Sequence, residues 1–314
     1  ENMGTIQTKG WELAIDYRHT FRNGLHFGVT ASVADDKTEV TKWTHNTKIP
    51  TYGATGWWDK SAYKEGMVLG DIWGLQFDRF LTEDDFNADG SLKAGLPDQT
   101  KVFPAGYQFA PGDVLYKDLD NNGEIVKQTN TNEKGDLSVI GNALPRLQFG
   151  LNLDAAWKGF DISMFFQGVA KRKLWAAGNQ VLPGFTTGEP FYKGAEDYWT
   201  PENTDAFYPR PMDYKQSASG NYSVNDRYLL NMAYLRLKTF TVGYSLPKVW
   251  LSKFKVQGLR VYFTGENLFT IDGVKPAIDP EIGIRTAGTS SDQRNFGRSY
   301  PYQKTVSFGI QLSL

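Results

Sequence analysis

Val306-Ser307-Phe308-Gly309-Ile310-Gln311-Leu312-Ser313-Leu314 is the stretch whose reading decides the fold. Val306, Phe308, Ile310, Leu312 and Leu314 fall on one parity, and Ser307, Gly309, Gln311 and Ser313 on the other. Strict alternation puts apolar side chains on one face of a strand and small or polar ones on the opposite face. Soluble chains seldom finish on a flush apolar strand, because termini fray into water. An outer-membrane barrel can finish this way, with its outward residues in lipid.

The same pattern recurs upstream. Trp11, Leu13, Ile15 and Tyr17 alternate with Glu12, Ala14, Asp16 and Arg18 from about Thr8 to Thr20. Asn23-Gly24 is a hairpin signal, since both residue types tolerate positive φ, and Leu25, Phe27, Val29, Ala31 and Val33 form the return. Leu147 to Leu153 and Phe160 to Phe166 make a second pair around Lys158-Gly159. Leu235 to Leu246 alternates with a phase slip, which a β-bulge near Lys238 or Thr239 would repair. Leu259, Val261 and Phe263 make one more apolar set.

Short connections near 22–24, 158–159 and 247–256 alternate with long ones near 36–144, 171–232 and 271–302. Within the first long one, Met67 to Leu81 reads as strand. Transmembrane barrels place short turns in the periplasm and long loops outside. Counting gives about seven membrane strands, the first running inward. An odd set of this kind does not close a bacterial barrel, so the expectation is the C-terminal piece of a larger one.

Bulk properties narrow the classes. The chain has 314 residues, formal net charge −1, no cysteine, 14% aromatics and 32 glycines. That charge gives no support for nucleic-acid binding, and the missing cysteines close disulfide and thiolate–metal readings. Mean hydropathy is −0.46, and no apolar run approaches the ~18 residues of a membrane helix. Barrel strands escape such a test, because half of their residues are polar.

Tyr234 to Pro247 (YLRLKTFTVGYSLP) and Leu259 to Thr270 (LRVYFTGENLFT) resemble late-strand signatures of SusC/RagA-type TonB-dependent transporters. Asp279-Pro280-Glu281, Tyr300-Pro301, Trp199 to Thr204 with Tyr208-Pro209-Arg210, Lys158 to Gly168 and Thr8 to Leu13 follow the same family in order. The resemblance implies an all-β fold: the C-terminal portion of a plugged antiparallel barrel of about 22 strands in a Gram-negative outer membrane. It implies import of glycans or peptides, with a SusD-like lipoprotein over the mouth and energy from the TonB complex. The plug and the TonB-contacting segment belong to an N-terminal part outside this sequence. Val306 to Leu314 also resembles the signal read by the barrel assembly machinery, where Leu314 replaces the usual aromatic.

Asp118-Leu119-Asp120-Asn121-Asn122-Gly123-Glu124-Ile125 carries the sharpest chemistry. Asp118, Asp120 and Asn122 stand at positions one, three and five of an EF-hand-like loop, with Gly123 at the sharp turn and Glu124 offering a backbone carbonyl. Position twelve is Thr129, so Asp136 is the expected replacement for the usual bidentate carboxylate. A structural Ca2+, or less well Mg2+, would suit these oxygens; the alternative is an Asx-rich turn without metal.

Trp175, Phe185, Tyr192, Tyr198 and Trp199, in an aromatic-rich loop, are candidates for stacking on substrate, against loop packing or interfacial girdles. Asp16, Arg18, Asp154, Asp161 and Arg260 read as lumen-facing wall residues. His19, His26 and His45 form no catalytic constellation, and Glu83-Asp84-Asp85 reads as a solvated loop. The expectation is therefore not an enzyme. A secreted glycan-binding β-sandwich competes, since alternation alone does not separate lipid from core. A polysaccharide-cleaving β enzyme would need an acid pair that the sequence does not offer.

Overall fold

The computed structural model describes residues 4–44, 63–128, 135–176, 178–185, 191–212, 220–252, 256–275, 278–281, 300 and 302–314. Trp57, Trp58, His45, Thr129 and Pro301 lie outside them. In chain order, β1 (Gly4–Thr20) and β2 (His26–Trp43) precede β3 (Asp71–Gly74), β4 (Phe77–Phe80), β5 (Val114–Tyr116) and β6 (Ser138–Asn142). Then come β7 (Arg146–Trp157), β8 (Phe160–Lys171), β9 (Lys173–Leu174) and β10 (Leu230–Asn231). β11 (Tyr234–Ser245), the one-turn α1 (Lys248–Leu251), β12 (Gly258–Asp272) and β13 (Thr305–Ser313) complete the order.

Seven strands form one sheet in the order β1-β2-β7-β8-β11-β12-β13, every neighbour antiparallel. Its register sorts side chains into rows. Tyr17, Val29, Leu153, Met164, Phe240, Gly265 and Val306 stand side by side across all seven strands. The row below is His19, Phe27, Ala155, Ile162, Val242, Phe263 and Phe308. One residue over, on the opposite face, runs Arg18, Gly28, Asp154, Ser163, Thr241, Thr264 and Ser307. One face is thus an apolar belt and the other polar. Phe308 and Ile310 remain 82% and 74% exposed on that belt. A sandwich would need a second sheet against them, and none packs there among the described residues.

Strand lengths agree with a membrane wall. β2 has 18 residues, roughly 60 Å at about 3.3 Å each, whereas about 9–11 residues suffice to cross the hydrocarbon. β2 continues through the charged Asp35-Asp36-Lys37 to Trp43, so the first long loop begins later than 36, as a correction to the sequence-based boundary. Met67 to Leu81 is also not one strand, since only the short β3 and β4 form there.

The register slips between Leu237 and Thr239 against both neighbours of β11, as the phase of the sequence demanded. On β12 the compensating residue is Asn267, at φ 51, which Asn tolerates better than most side chains. The hairpins differ from each other. Lys158 and Gly159 both take positive φ, the two-residue turn whose twist suits a hairpin. At Asn23-Gly24 only Gly24 does, and Asn23 instead accepts the Leu25 N–H at 3.1 Å. Trp157, Phe160 and Phe21 are exposed at this short-turn end, where a barrel carries an aromatic girdle.

The core lies in the loops. Ile72, Leu174, Trp175, Leu182, Tyr228 and Met232 belong to one buried cluster, and Leu75, Phe80, Val114, Tyr116, Ile125 and Trp199 to another. The described parts of the first two long loops are stitched together: Leu75 N–H donates to Val224 O at 2.9 Å, Phe77 N–H to Asp226 at 2.7 Å and Tyr116 Oη to Gly220 O at 2.7 Å. The residues 273–281 are tied back by Arg236, whose guanidinium meets Asp279 at 2.8 Å and Glu281 at 2.9 Å.

Candidate functional site

Two places in the loop layer gather functional chemistry. In the first, Asp118, Asp120 and Asp136 bring carboxylate oxygens within 4.8 Å of one another. Gly123, at φ 85, turns the chain so that its N–H reaches Asp118 Oδ2 at 2.7 Å. The Asn122 N–H is shared between Asp118 and Asp120, both at 3.2 Å. Asp136 is completely buried and accepts the Leu119 and Val126 N–H groups, each at 2.7 Å. These two bonds bring residue 136 back over the 118–126 turn.

Burial pushes the Asp136 carboxyl above its ordinary range, the charges of Asp120 and Asp118 add to it, and the two N–H donors oppose it. Asp120 Oδ2 is buried with no hydrogen-bond partner, and a buried acceptor left unmet is costly. Three clustered carboxylates, one of them with an orphaned oxygen, fit a divalent cation. The other two sequence candidates stand differently: Asn122 Oδ1 accepts the Glu124 N–H at 2.7 Å, and the Glu124 carboxylate pairs with Lys101. Only main-chain oxygen is left to Glu124, which is the role its sequence position suggested.

The aromatic candidates divide. Trp175, Phe185 and Trp199 are buried in the two clusters, so they pack the loops rather than present a face to ligand. Tyr192 and Tyr198 are exposed and line a cavity of about 560 Å3. Phe191, Pro183, Pro209, Pro211 and buried Tyr222 complete its apolar walls, with Lys193 and Glu196 among the lining.

The wall Tyr208-Pro209-Arg210-Pro211 is held from behind. Arg210 Nε and Nη2 donate to buried Asp113 at 2.8 and 3.2 Å, the paired geometry that suits a guanidinium. Asp113 also accepts from Tyr107 Oη at 2.9 Å, Ala110 N–H at 2.9 Å and Asn221 Nδ2 at 3.0 Å. Burial and the Asp113 charge push the Tyr107 phenol up, keeping it a donor. Tyr208 Oη donates to Val181 O at 3.0 Å, with its pKa raised by burial to about 12. Gly112, at φ 90, leaves the space that the Trp199 ring and Arg210 occupy. The sequence reading missed Asp113 and Arg210 as partners; an arginine between two prolines was the available signal.

Wall residues behave structurally. Arg260 forms a two-armed pair with Asp161 at 3.0 and 2.5 Å, and Asp16 accepts from Thr30 at 2.6 Å. His26 Nδ1 lies 2.8 Å from Thr20 Oγ1. Asp85 is not solvated as expected: it is buried and clasped by Arg79 at 2.6 and 2.7 Å.

No protein-family model matches the chain. It is 26% identical over 324 residues to TonB-dependent receptor P3 of Formosa agariphila, covering 99% of this chain and 29% of that protein. It is 22% identical over 322 residues to TonB-dependent receptor SusC of Bacteroides thetaiotaomicron, covering 100% of this chain and 27% of that one. Among solved structures, the RagAB peptide importer in its closed-closed state superposes with TM-score 0.66 at 20% identity, over 99% of this chain and 30% of that chain. The chain thus spans under a third of the length of these relatives. From end to end it resembles SusC-type TonB-dependent receptors, and its antiparallel sheet is a section of the barrel wall that such transporters build.

Proposed function

We propose that the chain forms wall and mouth of an outer-membrane, TonB-dependent importer of glycans or peptides in a Gram-negative bacterium. The one-sided sheet carries this reading: an apolar belt across seven strands, a polar face behind it, and a packed loop layer at the end opposite the short turns. A SusD-like lipoprotein would seat on that loop layer, and the TonB complex would act through a part of the parent protein outside this chain. Val306 to Leu314 would be the segment read during barrel assembly. The role is passage rather than catalysis: the polar face lines the route, and the loops select what enters.

The loop layer would also carry a structural Ca2+ (or Mg2+) on Asp118, Asp120 and Asp136. Its support is the orphaned Asp120 Oδ2 beside the fully buried Asp136. The ion would offset most of the charge of three clustered carboxylates and lock residue 136 to the 118–126 turn.

Uptake tests the main reading. Cells depending on the parent protein should accumulate labelled oligosaccharide or oligopeptide, and lose that accumulation when TonB is removed. Unchanged accumulation without TonB would contradict it.

A further inference from the structure

We propose that the 560 Å3 cavity beside Tyr192 and Tyr198 is a binding subsite for a large apolar side chain of an oligopeptide. The proposal rests on the importer reading and names a substrate class for it.

The chemistry of the walls makes the choice. A pyranose carries a hydroxyl on nearly every ring carbon, and buried hydroxyls need partners. Sugar sites therefore combine a stacking ring with planar amide, carboxylate or guanidinium groups along the ring edge. Among the described residues this cavity has the rings and, of those groups, only the exposed carboxylate of Glu196. Its walls are Phe191, Tyr198, Tyr222 and the prolines Pro183, Pro209 and Pro211. Tyr208 Oη, one of its hydroxyls, is already committed to Val181 O. The Arg210 guanidinium between the two wall prolines is committed to Asp113. A phenyl, indole or proline ring needs no polar partner in such a space, whereas a sugar, with Glu196 and Lys193 the only charged groups among the described lining, would leave most of its hydroxyls unpaired.

Aromatic-lined grooves are also a recurrent way to hold extended peptide. The volume lies within the ~300–1,000 Å3 of small-ligand pockets. Exposed Lys193 and Glu196 lie among the lining, opposite charges suited to the carboxylate and ammonium groups of a short zwitterionic peptide. The wall is fixed before a ligand arrives. Pro209 and Pro211 restrict the backbone on both sides of Arg210, and Asp113 anchors Arg210 from behind, so little ordering remains to be done on binding.

The test uses the full-length parent protein in detergent micelles and isothermal calorimetry. Probes are Gly-Gly-X-Gly-Gly pentapeptides, with X phenylalanine, proline or glycine, and maltopentaose. The phenylalanine peptide should bind at least tenfold more tightly than the glycine peptide. Tyr198→Ala and, separately, Phe191→Ala should reduce that ratio below threefold; both side chains are exposed, and retained heat-modifiable gel mobility would verify folding. Lys193→Glu should weaken the free-acid phenylalanine peptide more than its C-terminal amide. Equal affinity for the phenylalanine and glycine peptides would overturn the proposal. So would maltopentaose binding that Tyr198→Ala abolishes. TonB-dependent uptake that persists in such a case would leave the importer reading intact; loss of TonB dependence with selective peptide binding would sink that reading and keep the subsite.

Discussion

Gly243 lies directly beneath the guanidinium of Arg260, which crosses β11 to reach Asp161 on β8. Gly243 is paired with Asp161 on one side and Tyr262 on the other, so all three strands meet where one side chain is missing. A Cβ at Gly243 would run into the Arg260 guanidinium. Gly243→Ala should push the guanidinium off Asp161 and cost about 1 kcal/mol, as expected for a partly exposed pair. In an Arg260→Ala background the same change should be neutral. Urea unfolding of the folded barrel, followed by gel mobility, reads the four-protein cycle; an equal cost in both backgrounds would contradict the relationship.

Arg236 is a buried tie between the wall and residues 278–281. Its side chain is 4% exposed, and so is that of Asp279; Lys238 meets Glu281 beside them at 2.6 Å. Arg236→Met leaves buried Asp279 without its cation while Lys238 still meets Glu281, a change that costs about 3–5 kcal/mol. Hydrogen exchange at residues 278–281 should accelerate strongly, while exchange in β1 and β2 stays as in the parent.

The carboxylate cluster gives a pH prediction whose sign depends on the ion. Without cation, Asp136 holds its proton in the folded state at pH values where the unfolded chain has lost it. Stability from this group is then highest below the unfolded carboxylate pKa and falls as pH rises through the raised folded value. Bound Ca2+ favours the charged form and should remove or reverse that slope. Thermal unfolding across pH 4 to 7 in chelator and in millimolar Ca2+ compares the two. Asp120→Ala should abolish the difference between the curves; identical curves in the parent protein would remove the cation.

Asn267 bears the bulge that lets β12 follow β11. Replacing it with Val forces a β-branched residue into positive φ, at a cost of about 1–2 kcal/mol. Asn267→Gly should be near neutral in the same urea assay, and a Val protein as stable as the Gly one would show that the bulge relaxes.

Much of the wall was legible because strand parity is a local signal. Val306 to Leu314, Leu147 to Leu153 and the slip at Lys238 each need only a short window of sequence, and the sheet register obeys all three. The hairpin at Asn23-Gly24 was read correctly as a turn, although its geometry belongs to Gly24 alone. β2 ran beyond its expected end because Asp35, Asp36 and Lys37 look like loop; Asp35 is in fact held by Arg146, 111 positions away.

The loop layer was less legible for the same reason. Asp113 meets Arg210 across 97 positions and Asn221 across 108, and no periodicity announces such a contact. Trp175 and Tyr198 are both aromatic residues in one loop, and only packing separates a core ring from a cavity ring. Asp136 was the exception. The missing carboxylate at position twelve of the loop points to the next aspartate in sequence, and Asp136 does bring its carboxylate within 4.8 Å of those of Asp118 and Asp120.

In a barrel wall, one face of the sheet would meet lipid and the other water. Ile310 and Gln311, neighbours on β13, stand on opposite faces. The chain contains no cysteine, so Ile310→Cys and Gln311→Cys place one nitroxide label each within it. Electron paramagnetic resonance of the full-length protein in lipid vesicles, with oxygen and a water-soluble nickel chelate as relaxation agents, reports which side each label occupies. The account predicts a label at 310 relaxed by oxygen and shielded from nickel, with the reverse at 311. Equal nickel access at both positions would contradict it.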